Sequence, residues 1–265
     1  MATPADVKEV LVQYLKDLHL PAFRSSYEDL ARQAQQESLS YERYLLGLAE
    51  RECQEREQHR IERLLRESRL PLEKSWLALD LKRLPPKVVQ QARTLLEGSF
   101  VDRHENVLVF GPPGSGKTHL LCALGQELVR LGRKVLFCPC GLLVQELLIA
   151  KRDLKLSRVL KRLSRYAVLI LDDLGYVQQS REEMEVLFTL LAERYERGSV
   201  LLTSNLPFSG WEAIFKDPMT TAAAIDRLVH HSVIVELNIP SYRAEQAKKA
   251  KQGRTATQAE EASPA

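Results

Sequence analysis

An apolar run from Val107 to Phe110 leads into Gly111-Pro112-Pro113-Gly114-Ser115-Gly116-Lys117-Thr118, which has the spacing G-x-x-x-x-G-K-[ST]. The chain then continues into His119 and the apolar pair Leu120 and Leu121. Each residue type in the pattern has a chemical use. The glycines let the backbone curl so that its N–H groups converge on phosphate oxygens, and the helix expected to follow adds its positive N-terminal end. Lys117 is placed to reach the β- and γ-phosphates, and the Thr118 hydroxyl to complete the shell of a Mg²⁺ ion. Gly111 to His119 is therefore a candidate nucleotide-phosphate cradle.

A second apolar run, Ala167 to Leu171, ends in two carboxylates, Asp172 and Asp173. In a parallel sheet the carboxyl end of such a strand lies at the same edge as the phosphate loop. There Asp172 would hold Mg²⁺, through water, while Asp173 would orient an attacking water and accept its proton. Aspartate is one methylene shorter than the glutamate more usual in that role, which implies slow or assembly-dependent turnover. A third run, Ser199 to Thr203, exits through Ser204 and Asn205. Asn205 would hydrogen-bond the γ-phosphate or the attacking water and so report which nucleotide is bound.

These residues need a scaffold. Strand patterns at 106–110, 134–138, 167–171, 199–203 and 232–237 alternate with helical ones at 117–131, through 165, and at 181–197, the signature of an α/β fold with a parallel sheet covered by helices on both faces. Leu84-Pro85-Pro86 marks a hinge, and a helix over 87–97 should end at Gly98 in a left-handed cap. Before the hinge, residues 1–80 read as a small all-helical domain with breaks near Pro21 and Pro71. Its longest helix, roughly 40–69, mixes arginines with glutamates and reads as a solvated, salt-bridge-laced element rather than a DNA surface. The core domain then covers 81–245, and the polar tail 246–265 is expected to be disordered.

Composition excludes several classes. Hydrophobic residues make up 45% of 265, the content of a folded protein rather than a fibre or disordered chain. No stretch approaches a membrane span and the N-terminal residues lack a secretory pattern, so a cytoplasmic location is expected. The four cysteines have no partner pair at zinc spacing and read as reduced, mostly buried residues. Net charge is only +3, so affinity for nucleic acid must come from local clustering.

One such cluster exists. Between Lys151 and Arg165 stand seven basic residues and one acid, Asp153. Lys151, Lys155, Arg158, Arg162 and Arg165 recur at steps of three and four, which predicts one basic helical face, with Leu156, Val159, Leu160 and Leu163 on the other. Such a stripe would contact duplex DNA through phosphates, largely independent of sequence.

Taken in order, the phosphate loop, the acidic strand end and Asn205 resemble an AAA+ ATPase. A closer resemblance is to the IstB-like helper ATPases of bacterial insertion sequences, near the replicative helicase loader and initiator clade. It rests on Leu20-Pro21 before the Arg/Glu-rich helix, Gly116 to Leu120, Leu169 to Tyr176, Arg194 to Ser199, Thr203 to Phe208, Asp226 to His230 and Ser241 to Arg243, and it covers about residues 7–245. The resemblance implies ATP as substrate, a homo-oligomer with ATP at subunit interfaces, and a cognate transposase as partner. It also implies that Arg227 is an arginine finger acting on the neighbouring subunit's ATP and that Arg243 contacts phosphate within its own subunit. Asn238-Ile239-Pro240 departs from the Gly-Glu pair usual before Ser-Tyr-Arg, and proline restricts the backbone there. A replicative helicase loader, whose client is a protein, is the alternative reading. A small-molecule P-loop kinase fits less well, because no arginine-rich lid or acceptor pocket is visible.

Overall fold

The structure, a computed structural model, describes residues 4–175, 180–211, 218–242 and 245. Arg243 and the tail 246–265 lie outside the described residues. The chain divides into two compact units, 1–63 and 64–265.

The first unit consists of α1 (Pro4–Asp17), α2 (Pro21–Gln36) and most of α3 (Tyr41–Ser68). Proline at the first position of α2 suits a helix start, because the missing N–H would have no intrahelical partner. No side chain of the preceding residue caps α2; instead the buried Glu52 reaches across from α3, and its Oε2 accepts the Ala22 N–H at 2.9 Å. Arg56 in turn donates to Glu52 Oε1 at 2.7 Å and to the His19 carbonyl at 2.7 Å, tying the α1–α2 turn to α3. On the exposed side of α3, Arg60 pairs with Glu57 at 3.2 Å.

The segment after α3 belongs with the second unit because its backbone is held there. Gln126 Nε2 donates to the carbonyls of Pro71, Leu72 and Lys74, and Leu70 packs where Gly125 leaves room. A 3₁₀ turn (Leu81–Arg83), α4 (Pro86–Leu96) and α5 (Ser99–Asp102) follow, with Gly98 in the expected left-handed conformation at φ 76°.

The core is β1 (Asn106–Phe110), α6 (Lys117–Arg130), β2 (Val135–Pro139), α7 (Cys140–Arg152), α8 (Leu156–Leu163), β3 (Val168–Leu174), α9 (Arg181–Arg194), β4 (Ser199–Ser204), α10 (Pro218–Val229) and β5 (Ser232–Glu236). The five strands form a fully parallel sheet in the order β2-β3-β4-β1-β5. Every residue of β1 and β4 is buried, as parallel strands covered on both faces require. All strands run the same way, so their carboxyl ends, where the phosphate loop and the two aspartates lie, share one edge. Among the described residues no helix is long and apolar enough to cross a membrane.

One expected element is divided. The basic run 151–165 does not form a single helical face: α7 stops at Arg152 and α8 begins at Leu156. Leu154 turns left-handed at φ 58°, and the Lys155 N–H bonds back to the Ala150 carbonyl at 2.7 Å, a Schellman stop formed without glycine. Lys151 thus sits on α7, while Arg158 and Arg162 sit on α8, with Lys155 and Arg165 just outside its two ends. The apolar side of α8 behaves as expected: Leu163 is fully buried, and Leu156, Val159 and Leu160 pack on the core.

Candidate functional site

The phosphate loop gains its shape from two close approaches. A side chain at Gly111 would place its Cβ 2.5 Å from the Leu237 carbonyl oxygen, and one at Gly114, at φ 78°, 2.1 Å from Ser241 Oγ. The Tyr242 N–H donates to the Gly114 carbonyl at 3.0 Å, so the segment after β5 lies against the loop. Helix α6 starts from Gly116 with no side-chain cap, leaving its first N–H groups directed into the site. Ser115 Oγ is buried without a hydrogen-bond partner among the described residues. A loop of uncapped donors and an orphaned buried hydroxyl is chemically suited to a phosphate chain.

Lys117 is buried, and its Nζ donates to the Gly111 and Pro112 carbonyls at 2.9 and 3.0 Å, which holds the ammonium over the loop. Thr118, on the first turn of α6, donates its hydroxyl to Asp172 Oδ1 at 2.8 Å across the strand ends. A hydroxyl and a buried carboxylate in contact are hard oxygen ligands of the kind Mg²⁺ takes, so the pair fits that ion. His119 Nε2 lies 3.0 Å from the Ser75 carbonyl and links the helix start to the segment before the hinge.

Thr203, which sequence reasoning passed over, organises the two aspartates. Fully buried at the end of β4, it donates to Asp172 Oδ1 at 2.7 Å and accepts the Asp173 N–H at 2.8 Å. Between Leu171 and Leu174 the β3–β4 register shifts, and Asp173 turns left-handed at φ 62°. This bulge sends the Asp172 side chain inward and leaves Asp173 exposed on the cavity side. Signals for Thr203 were weak, because threonine in an apolar strand is ordinary β-chemistry.

Pro113 to His119, Asp173 and Asn205 line one cavity of about 660 Å³, together with parts of the segment 73–84, Ile239 and Tyr242. The last three contributions were not visible in the sequence, since these residues follow no periodicity. Arg83 braces that wall: its guanidinium lies 4.9 Å from the Tyr242 ring centroid and pairs with Glu245 at 2.9 Å.

Arg227 stands elsewhere. It lies on the last turn of α10, where its Nη1 donates to the Ala223 carbonyl at 2.9 Å and its guanidinium covers the Phe188 ring at 4.7 Å. The carbonyls of Arg227 and Leu228 accept from Asn106 Nδ2, at the start of β1, whereas the phosphate loop follows the end of β1. The two are separated by the length of that strand, on the order of 15 Å. Arg227 opens instead onto a second cavity of about 270 Å³ with Tyr195, Glu196, His230 and His231.

The basic residues are less free than their spacing implies. Lys151 pairs with Glu185 at 2.8 Å, Lys155 with Asp153 at 3.2 Å, and Arg162 with Glu146. Arg158, Lys161 and Arg165 are exposed and make no ion pair among the described residues.

Residues 13–250 match the family of IstB-like ATP binding proteins. An insertion-sequence ATP-binding protein of Sinorhizobium fredii is 42% identical over 91% of this chain and 81% of its own length. The IS21 ATP-binding protein of Pseudomonas aeruginosa is 41% identical over 91% of this chain and 90% of its own. Among solved structures, DnaI superposes with a TM-score of 0.52 at 23% identity, covering 63% of this chain and 94% of that one. The replication initiator DnaA bound to AMPPCP and single-stranded DNA superposes at 0.54 with 17% identity, covering 65% of this chain and 52% of that one. These two likenesses establish the fold. On the family match and the two close relatives, the chain belongs to the IstB-like ATP-binding proteins, ATPases built on the P-loop AAA+ fold.

Proposed function

We propose that this protein is an oligomerising, DNA-binding ATPase that assists a transposase in insertion-sequence transposition by assembling on target DNA and remodelling it. The observation that carries the reading is the separation of the phosphate loop and Arg227 to opposite edges of one sheet. One chain holds the cradle, the aspartates and Asn205, but its arginine cannot reach its own phosphates. Two subunits stacked edge to edge would complete the site, with Arg227 stabilising charge on the neighbour's transferring phosphoryl group. The names of the close relatives supply the insertion-sequence context.

Within the subunit, Lys117 and the loop amides would bind the β- and γ-phosphates, and Thr118 with Asp172 would hold Mg²⁺, which neutralises phosphate charge when bound. Asp173, exposed on the cavity wall, would accept the proton of the attacking water, and Asn205 would fix that water or the γ-phosphate. Arg243 would contribute a contact from the same subunit.

Arg227→Ala should abolish DNA-stimulated ATP turnover while nucleotide affinity stays within about threefold of wild type; Lys117→Ala should lose binding itself. Equilibrium binding of a fluorescent ATP analogue beside a phosphate-release assay separates the two. Loss of binding in Arg227→Ala would overturn the trans role. Light scattering with a non-hydrolysable ATP analogue and duplex DNA should show nucleotide-dependent oligomers on DNA; a stable complex with a replicative helicase and none with DNA would overturn the transposition reading.

A further inference from the structure

The cavity beside Arg227 contains a cluster outside the cavity that holds the phosphate loop. Glu196, in the turn after α9, and His230 and His231, in the turn after α10, each present a ligand-type atom, all within 4.8 Å of one another and all on exposed residues. We propose that these three residues form a binding site for a first-row divalent transition metal of the zinc class.

The geometry is close to what such an ion needs. Zinc–nitrogen bonds of about 2.0–2.1 Å in a tetrahedron separate neighbouring ligands by about 3.4 Å, so rotations that move side-chain tips by about an ångström close the set. Exposed side chains make such rotations at little cost. Two imidazoles and one carboxylate are a donor set that selects zinc, cobalt or nickel over magnesium or calcium, which prefer all-oxygen shells. Arg103, Arg194 and Arg227 also line the cavity, and the other nearby carboxylate, Glu105, is gripped by Arg103 through bonds of 2.8 and 2.9 Å. Glu196, which also hydrogen-bonds the Tyr195 hydroxyl, is the one carboxylate of the set, and the two imidazole nitrogens bind by lone-pair donation.

One ligand is already oriented. His230 Nδ1 lies 2.8 Å from the Tyr195 hydroxyl. In the tautomer with the proton on Nδ1, the hydroxyl accepts it and Nε2 keeps its lone pair, the outer-shell arrangement that fixes metal-binding imidazoles. Three protein ligands leave one position for water. The ion would fasten the α9–β4 turn to the α10–β5 turn, three residues from Arg227. The site stands independently of the role given to Arg227.

The buried thiols of this chain are poor competing donors. Burial pushes the thiols of Cys122 and Cys140 up to about 12 and that of Cys138 up to about 11, so these stay protonated near neutral pH. Cys53 is exposed and is controlled for by Cys53→Ser.

The test is titration of the untagged full-length chain with Co²⁺, followed by ligand-field absorption, with Zn²⁺ competition. One equivalent should bind without a thiolate charge-transfer band and be displaced by Zn²⁺. Glu196→Gln, His230→Ala and His231→Ala should each weaken binding by roughly 100-fold and Tyr195→Phe by about 10-fold, with Cys53→Ser unchanged. Glu196, His230, His231 and Cys53 are exposed and Tyr195 is half-buried, and matching circular dichroism and melting temperature would show the variants folded. Absence of saturable binding, equal affinity in all variants, or a thiolate band would each overturn the site.

Discussion

At the level of single residues, the two aspartates differ because of one hydroxyl. Thr203 donates to Asp172 and accepts from the Asp173 amide, so it holds one carboxylate inward against Thr118 while the bulge turns the other toward the cavity. Thr203→Val keeps the volume and removes both bonds. The Asp173 amide then loses its acceptor, at a cost of about 1–2 kcal/mol. Turnover should fall roughly 10- to 100-fold while ATP affinity changes by no more than about threefold, because the phosphate contacts proposed above are assigned to the loop and not to Thr203. Steady-state phosphate release beside equilibrium nucleotide binding checks this; unchanged turnover would remove Thr203 from the site. Asp172, Asp173 and Asn205 were readable as polar residues ending apolar strands, whereas Thr203 was not, since its partner lies 31 positions away.

At the level of elements, two buried charges hold helices in place. Arg194, at the end of α9, is 4% exposed and donates to the carbonyls of Leu163, Tyr166, Ala167 and Ser199, joining the ends of α8 and α9 to the starts of β3 and β4. Burial pushes its guanidinium down to about 10, still protonated at neutral pH. Gly198 is required beside it, since a Cβ there would lie 2.5 Å from the guanidinium. Arg194→Ala removes these four hydrogen bonds, although the Leu163 and Ala167 carbonyls keep the Tyr166 and Ser199 amides as donors, and should lower the unfolding free energy by about 3 kcal/mol, measured by urea denaturation. In the helical unit, burial pushes the Glu52 carboxyl up, but Arg56 and the amides of Ala22 and Phe23 outweigh it and hold it below 4.5. A depressed folded value means stability that is present above pH 4.5 and lost as pH falls through the folded value. Thermal melts of the full chain between pH 7 and 3 should show that loss in the helical transition, flattened in Glu52→Gln. The helices themselves were legible from periodicity. Their stops at Arg152 and Arg194 were not, because the first needs a left-handed leucine and the second follows from tertiary carbonyls.

For the whole molecule, the DNA reading shifts with the ion pairs. Glu185 and Glu146, distant in sequence, neutralise Lys151 and Arg162, and Lys155 pairs with Asp153. If the face contacts phosphates, the exposed Arg158, Lys161 and Arg165 carry most of it. Their triple alanine variant should weaken duplex binding uniformly across sequences and reduce the slope of log affinity against log salt by about 3, measured by fluorescence anisotropy. Lys151→Ala alone should change little; a larger effect from Lys151 would return the contact to α7.

Local sequence sufficed to identify the phosphate loop, the acidic strand end and the alternation of strands and helices, because glycine spacing, apolar runs and polar strand exits are short-range signals. Tertiary structure decided the rest. Gln126 holds the backbone of residues 71–74 within the second unit, and the cavity wall came from segments before the hinge and after β5. The basic face lost charges to acids on other helices. Arg227 was set a strand's length from the phosphate loop of its own chain, since a parallel sheet places the two ends of β1 at opposite edges, and that distance appears only when the strands are aligned.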